Sequence, residues 1–268
     1  MGIVNVTPDS FSDGGRFETF EAAVAHGLRQ VEEGADILDI GGESSRPGSQ
    51  PVTAEEELRR VFPVVSALAR QTKIPLSIDT TKAEVARRCL EAGAHIINDI
   101  TAATGDPAMV ETVARHRAGL ILMHMQGTPA TMQVNPTYAD VVTEVREYLE
   151  VRMEQVCERG VPMECIAIDP GIGFGKTLRH NLELMSRLDR FQALRRPVCL
   201  GVSRKGIIGQ IIGRPRMERV AGGLACAAHA MARDAVQIIR VHDVAPTKDF
   251  VRMYAAIDQP EHTAIIES

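Results

Sequence analysis

Short apolar runs recur along the chain, and a polar or ionisable residue ends or directly follows each of them. There are eight: Ile3–Val6, Asp36–Ile40, Leu76–Asp79, His95–Asp99, Gly119–His124, Ile166–Asp169, Val198–Gly201 and Val236–Val241. Their brevity and their richness in Ile, Val and Leu predict strands buried on both faces. Between most of them the pattern becomes that of amphipathic helices, as over Phe20–Glu33, Ala54–Gln71, Lys82–Ala92 and Tyr138–Arg159. Gly34 and Gly93 stand where left-handed helix caps would lead into the next strand, and Thr53 with Glu56 predicts a capping box.

Strand alternating with helix predicts a parallel α/β fold. Eight such units in 268 residues predict a single-domain (β/α)8 TIM barrel spanning 1–268, since one such barrel takes roughly 250 residues. The active site is then expected at the C-terminal ends of the strands, where Asn5, Asp39, Glu43, Asp79, Asn98 and Asp169 would converge. Strand one begins almost at Met1, so either the barrel floor is open or the natural chain starts earlier.

Composition narrows the partners. A formal net charge of −5 without a basic stripe argues against nucleic acid, so an anionic ligand must be met by a few local cations. The five cysteines are widely spaced, which predicts buried thiols in a reducing cytoplasm. No apolar run approaches the roughly 20 residues of a membrane helix, and Val6 stands where a myristoylation signal needs Ser or Thr.

The loops carry the candidate chemistry. Asn5–Gly15 is polar and too long for a simple connection, which marks a functional or a disordered segment. Gly41–Gly48 allows close backbone approach, and its Ser44-Ser45-Arg46 run could bind phosphate oxygens, although a solvated turn fits it equally well. Asp79 and Asp169 end apolar strands, with Asn98-Asp99 between them. Any one of them could be a helix N-cap; several at consecutive strand ends favour a flat heterocycle with adjacent N–H donors. Asp169–Thr177 ends in Gly-Lys-Thr but is no P-loop, because the first glycine of that pattern would fall on Pro170. Loops after strands seven and eight form the recurrent phosphate site of this fold, so Lys205, Arg240 and His242 are expected to make that corner positive. His124 could be either a packed core histidine or a ligand contact.

Taken together, Asn5–Gly15, Gly41–Gly48, Ser77–Thr80, Ile97–Asp99, Leu122–Gly127, Asp169–Lys176, Gly201–Lys205 and Arg240–Val244 resemble the dihydropteroate synthase family of the bacterial folate pathway. The resemblance covers essentially the whole domain. It implies a transferase that joins 6-hydroxymethyl-7,8-dihydropterin diphosphate to 4-aminobenzoate, releasing diphosphate and 7,8-dihydropteroate. By similarity, Asp79, Asn98, Asp169, Lys205 and Arg240 would hold the pterin, and Ser45, Arg240 and His242 the diphosphate. Pro47, Phe174, Ser203 and Lys205 would contact the aminobenzoate, and Asn5 would ligate Mg2+. Asp13 and Arg46, on two mobile loops, would join Lys205 in catalysis. The resemblance also implies a homodimer, though no helix face signals one. Two departures stand out: Ser45 replaces the usual Thr, and the segment that family members normally carry ahead of strand one is missing.

The chemistry follows independently. An aromatic amine is unprotonated at neutral pH, so the difficult event is departure of diphosphate, whose charge cations can absorb. A dissociative, carbocation-like displacement is therefore expected. Two rivals use the same barrel. A pterin-dependent methyltransferase would not need the Ser203–Lys205 and Arg240–His242 corner. A catalytically inactive pterin-binding paralogue would not need Asn5, Asp13, Arg46, Lys205 and Arg240 intact.

Overall fold

The computed structural model describes residues 1–7, 16–46 and 48–262. Strands β1 (Gly2–Asn5), β2 (Leu38–Gly41), β3 (Leu76–Asp79), β4 (Ile96–Asp99), β5 (Gly119–Met123) and β6 (Ile166–Asp169) form one parallel sheet in sequence order. β7 (Cys199–Leu200) and β8 (Ile238–Ile239) form a second parallel pair. Two bridges join the sheets: Ile168 pairs with Val198, and Gly2 with Val241. Ile3 N–H donates to Val241 O at 2.9 Å, and Val241 N–H to Met1 O at 2.9 Å. The ring therefore closes as the expected eight-stranded barrel.

Nine helices are described: α1 (Arg16–Glu32), α2 (Ala54–Gln71), α3 (Ala83–Glu91), α4 (Met109–His116), α5 (Val141–Glu158), α6 (Leu178–Ser186), α7 (Gly206–Ile212), α8 (Val220–Met231) and α9 (Val244–Asp258). β3, β6 and α2 have the bounds expected from the sequence. β7 and β8 are much shorter than their apolar runs, because Val198 O accepts both Gln237 N–H and Ile238 N–H at 3.1 Å and so interrupts the ladder. The Thr53 cap forms, with its Oγ1 accepting Glu56 N–H at 3.2 Å. The reciprocal half of the capping box does not, since the Glu56 carboxylate is drawn to Arg59 and Arg60. Asp140 supplies a cap that periodicity missed: it accepts from Val142 and Thr143 N–H and starts α5 at Val141 instead of Tyr138.

Alternation along the strands sorts the side chains. Leu38, Ile40, Ile78, Ile97, Leu120, Leu122 and Ile168 join the main core with Val61, Val64, Val65 and Leu68 of α2. Ile121, Ala167 and Cys199 form a separate small cluster with Met1, Ile96 and Ile238, which fills the barrel interior. The register then aligns Asn5 with Gly41, Gly41 with Asp79, and Asp79 with Asn98. Polar residues scattered through the sequence thus share one rim. Among the described residues no helix is long and apolar enough to cross a membrane.

Candidate active site

A cavity of about 840 Å³ opens at that rim. Asn5, Asp79, Asn98, Asp169 and Arg240 line its strand-end side. Ser45, Arg46, Phe174, Ser203, Lys205 and His242 reach it from the loops. Asp13 and Pro47 lie outside the described residues.

The floor is built around Asp39, which the sequence placed among the strand ends without assigning it a ligand. Asp39 sits one layer below the rim and is 0% exposed. A buried carboxylate is tolerable only with partners. Its Oδ2 accepts Arg240 Nε at 2.5 Å and Asn98 Nδ2 at 3.1 Å. Arg240 also donates to Asp79 Oδ2 at 2.8 Å, so its guanidinium bridges two carboxylates. Burial works against that charge, but Asp39 and Asp79 more than offset it and keep Arg240 protonated. For Asp79 burial dominates and raises its pKa to about 7, against the opposing field of Arg240. The signal for Asp39 was its inward position on β2, where the next inward residue, Gly41, has no side chain to cover it.

Asp169 is buried, and its Oδ1 accepts Gly171 N–H at 2.7 Å. Burial raises its pKa, and Lys205 partly opposes this. Lys205 is the reciprocal case: burial lowers it to about 8, with Asp169 pulling the other way. It stays mostly protonated at neutral pH. A Cβ built on Gly201 would lie 3.8 Å from Lys205 Nζ, 3.9 Å from Asp169 Oδ2 and 4.0 Å from Arg240 Cδ. Three functional groups therefore face one point, which glycine leaves open for a ligand. Lys205 Nζ also lies 4.6 Å from the centre of the Phe174 ring, a cation–π contact.

The corner after β7 and β8 differs from expectation. His242 shares Ser203: its N–H and Nδ1 both lie 3.1 Å from Ser203 Oγ. Burial, then the charges of Arg204 and Arg240, push its pKa to about 3. His242 is thus a neutral hydrogen-bonding group, and Arg240 spends its Nε and Nη2 donors on Asp39 and Asp79. Arginines that the sequence reading passed over add positive charge beside them. Arg204 is fixed by a bidentate pair with Asp243, including Nε to Oδ2 at 3.0 Å. Its backbone is left-handed at φ 58°, a conformation that surrounding contacts must enforce. Arg219 helps by donating to the carbonyls of Arg204 and Lys205, both at 3.2 Å. Arg216, in the charged stretch between α7 and α8, has its pKa lowered by burial and by Arg46, Arg204 and Arg219.

The loop after β2 is anchored at its base. Lys82 Nζ bonds both Glu43 and the buried Glu57, the latter at 2.6 Å, and Arg60 donates to Gly42 O at 2.8 Å. Ser45 and Arg46 project beyond these anchors. His124 resolves as a packed residue: its ring meets Tyr148 edge-on at 4.9 Å, and Lys176 Nζ sits 2.9 Å from its Nδ1. Burial and the Lys176 charge push His124 down to about 3. Among the described residues no group of three or more His, Cys, Asp or Glu could hold a metal. Asn5 and Ser45 offer neutral, hard oxygen donors. Such a set fits Mg2+ that arrives on phosphate oxygens and keeps much of its water shell.

Residues 1–242 match the family model described as pterin binding enzyme. The chain is 46% identical over 256 residues to dihydropteroate synthase of Escherichia coli (strain K12), covering 96% of this chain and 90% of that protein. Among solved structures, the Xanthomonas albilineans dihydropteroate synthase with 4-aminobenzoic acid superposes with a TM-score of 0.91 at 49% identity, covering 96% of this chain and 92% of that one. The same enzyme in complex with 7,8-dihydropteroate gives 0.88 at 47% identity, again over 96% and 92%.

Proposed function

The chain belongs to the pterin binding enzyme family, as a dihydropteroate synthase, and from that premise we propose how its own residues divide the reaction. The chain condenses 6-hydroxymethyl-7,8-dihydropterin diphosphate with 4-aminobenzoate, giving 7,8-dihydropteroate and diphosphate. The observation that carries the assignment of roles is the set of strand-end acceptors lining one cavity, Asp79, Asn98 and Asp169, beside the opening over Gly201.

Asp169 and Asp79 accept the N–H donors of the pterin ring, each charge-assisted bond contributing roughly 1.5–3 kcal/mol. Asn98 spends its Nδ2 on Asp39, which leaves its amide oxygen as a further acceptor. Arg240, held flat by Asp39 and Asp79, lies against the ring, and with Ser45 and His242 it meets the diphosphate. Lys205 stands between Asp169 and the Phe174 ring, so its ammonium serves the pterin on one side and the aminobenzoate on the other. Phe174, Ser203 and Pro47 complete the aminobenzoate contacts.

The bond from the pterin methylene to oxygen breaks first, and diphosphate leaves with the electron pair. Arg46 and the arginines of the β7–β8 corner stabilise the charge that develops on it. Bound Mg2+, held by Asn5 and the diphosphate oxygens, would neutralise part of that charge. The methylene is left conjugated to an electron-rich ring, whose positive charge Asp79 and Asp169 stabilise. The aromatic amine, already unprotonated, then attacks the methylene and loses its proton to water. Asp13 and Arg46 close over the cation and exclude competing water.

The proposal extends to a homodimer in a reducing cytoplasm. Supporting the dimer, α8 is strongly apolar yet buries only Ala227 and Ala230, while Ile211, Ile212 and Met217 beside it are exposed. Supporting the compartment, all five cysteines are free. Diphosphate release with both substrates and Mg2+, compared with release when aminobenzoate is omitted, tests the roles together. Release that is fast, independent of aminobenzoate and unaccompanied by dihydropteroate would contradict them.

A further inference from the structure

Between β6 and α6 the chain makes no regular hydrogen-bond ladder, yet every carbonyl from Gly171 to Gly175 accepts a side-chain donor. Lys176 Nζ donates to Gly171 O at 3.0 Å and to Phe174 O at 2.9 Å. Lys205 Nζ takes Ile172 O at 2.5 Å, Gln133 Nε2 takes Gly173 O at 3.0 Å, and the Tyr138 hydroxyl takes Gly175 O at 2.7 Å. Lys176 is the centre of this arrangement. It is 2% exposed, and its ammonium also reaches His124 O at 3.2 Å and His124 Nδ1 at 2.9 Å. Although its stem borders the cavity, its donors are directed inward and committed to protein atoms.

The loop has no room to slide. A Cβ on Gly171 would fall 1.9 Å from His124 O, and one on Gly175 would fall 2.4 Å from Gln126 O. Both glycines have positive φ, 69° and 60°. The β5 and β6 loops are thus in backbone contact around one buried amine, whose pKa burial lowers to about 7. Removing it would strand two loop carbonyls, the His124 carbonyl just after β5 and the His124 ring nitrogen, and buried acceptors without donors are costly. The loop would have to open towards water to satisfy them.

We propose that Lys176 is a positioning residue for the aminobenzoate half of the site, an inference that rests on the roles given above to Phe174 and Lys205. Its ammonium folds the loop so that Phe174 lies under Lys205 and Ile172 O receives Lys205 Nζ. Asp79 and Asn98 belong to β3 and β4 and stand clear of this loop, and Asp169 ends β6 itself, with only the Gly171 N–H bond to its Oδ1 drawn from the loop. Lys205, which serves both substrates, is tied to the loop through Ile172 O but keeps its own place after β7, so Lys176 matters more to the aminobenzoate than to the pterin.

Lys176→Met, which keeps the stem and removes the ammonium, tests this. We expect KM for aminobenzoate to rise at least tenfold, with kcat and pterin affinity each within threefold of wild type. Hydrogen exchange of the ligand-free protein should speed up at the Gly173 and Phe174 amides. An unchanged aminobenzoate KM, equal loss of both ligands or unchanged exchange would overturn the inference. If Lys176→Met does not fold, Gln133→Ala and Tyr138→Phe each remove one other tether. They should raise the same KM selectively but less, and no rise in either overturns the proposal. Failure of the wild-type chain to join the two substrates would instead strike the assigned roles, and the exchange comparison would still decide whether the loop depends on Lys176.

Discussion

The barrel wall changes character between β6 and β7. From β1 to β6 the strands pair in register, and the helices outside them are sealed: α2 alone buries Val61, Val64, Val65 and Leu68. Across β7 and β8 the pairing shrinks to two residues, and α8 buries only two small side chains. Ion pairs hold that second sector, Arg204 to Asp243 within it and Arg240 across to Asp39 and Asp79 of the first. The first sector offers fixed acceptors to a flat ring; the second offers cations to an anion that must leave. A rigid ladder suits shape recognition, whereas charge that is bound and then released is better met by side chains held by other side chains.

The contrast predicts unequal losses of pterin affinity. The largest belongs to Asp169, at the end of a full-length strand. Asp169→Asn turns one acceptor into a donor facing a donor, so pterin binding should weaken by roughly 3 kcal/mol or more, on the order of a hundredfold. Calorimetric titration with a pterin checks this. Unchanged affinity in a folded variant would remove Asp169 from the recognition surface.

Lys205 stands where the two sectors meet and should show an intermediate effect on both substrates. Lys205→Ala is expected to weaken each by about 2 kcal/mol, roughly thirtyfold. Its lowered pKa adds a pH signature. Burial brings Lys205 to about 8, so the cation is present below that pH and lost above it. Aminobenzoate affinity of the wild type should therefore fall as pH rises through about 8, and Lys205→Ala should flatten that limb. A wild-type profile that stays level from pH 7 to 9 would show that the ammonium is not what the aminobenzoate meets.

The same contrast explains what could be read from the sequence. β3, β6 and α2 were legible to the residue because burial on two faces, or on one helical stripe, leaves a strong pattern. The strand-end acceptors were legible too, since closing the ring sends every strand end to one rim. Asp39 was legible as a strand end but not as the floor's centre: that part rests on a partner 201 residues away, Arg240, and no local pattern encodes the pairing. Nor was the neutral state of His242, which depends on burial and on arginines brought in from other segments. Arg216 and Arg219 drew no reading at all, because the segment between α7 and α8 reaches the cavity only in three dimensions.

The smallest effect on pterin affinity is expected from the two loops, and it comes with a chemical signature of its own. Arg46 projects beyond the anchored base of the β2 loop, and Asp13 lies in the long segment after β1, outside the described residues. Arg46 is no part of the floor and Asp13 is expected to act with it, so Arg46→Ala and Asp13→Ala should leave pterin affinity within about twofold, under roughly 0.5 kcal/mol. Their work begins once the methylene–oxygen bond breaks. A cation exposed to water is captured by whichever nucleophile arrives first. Both variants should therefore turn over more slowly and release hydroxymethyl-dihydropterin beside dihydropteroate. The hydrolysed share should fall as aminobenzoate is raised, because amine and water compete for one intermediate. Product analysis across an aminobenzoate series, with pterin affinity measured on the same samples, separates this from a binding defect. Loss of pterin affinity without any hydrolysis product, at every aminobenzoate concentration, would make the loops part of the recognition surface and remove the distinction between a rigid floor and a closing lid.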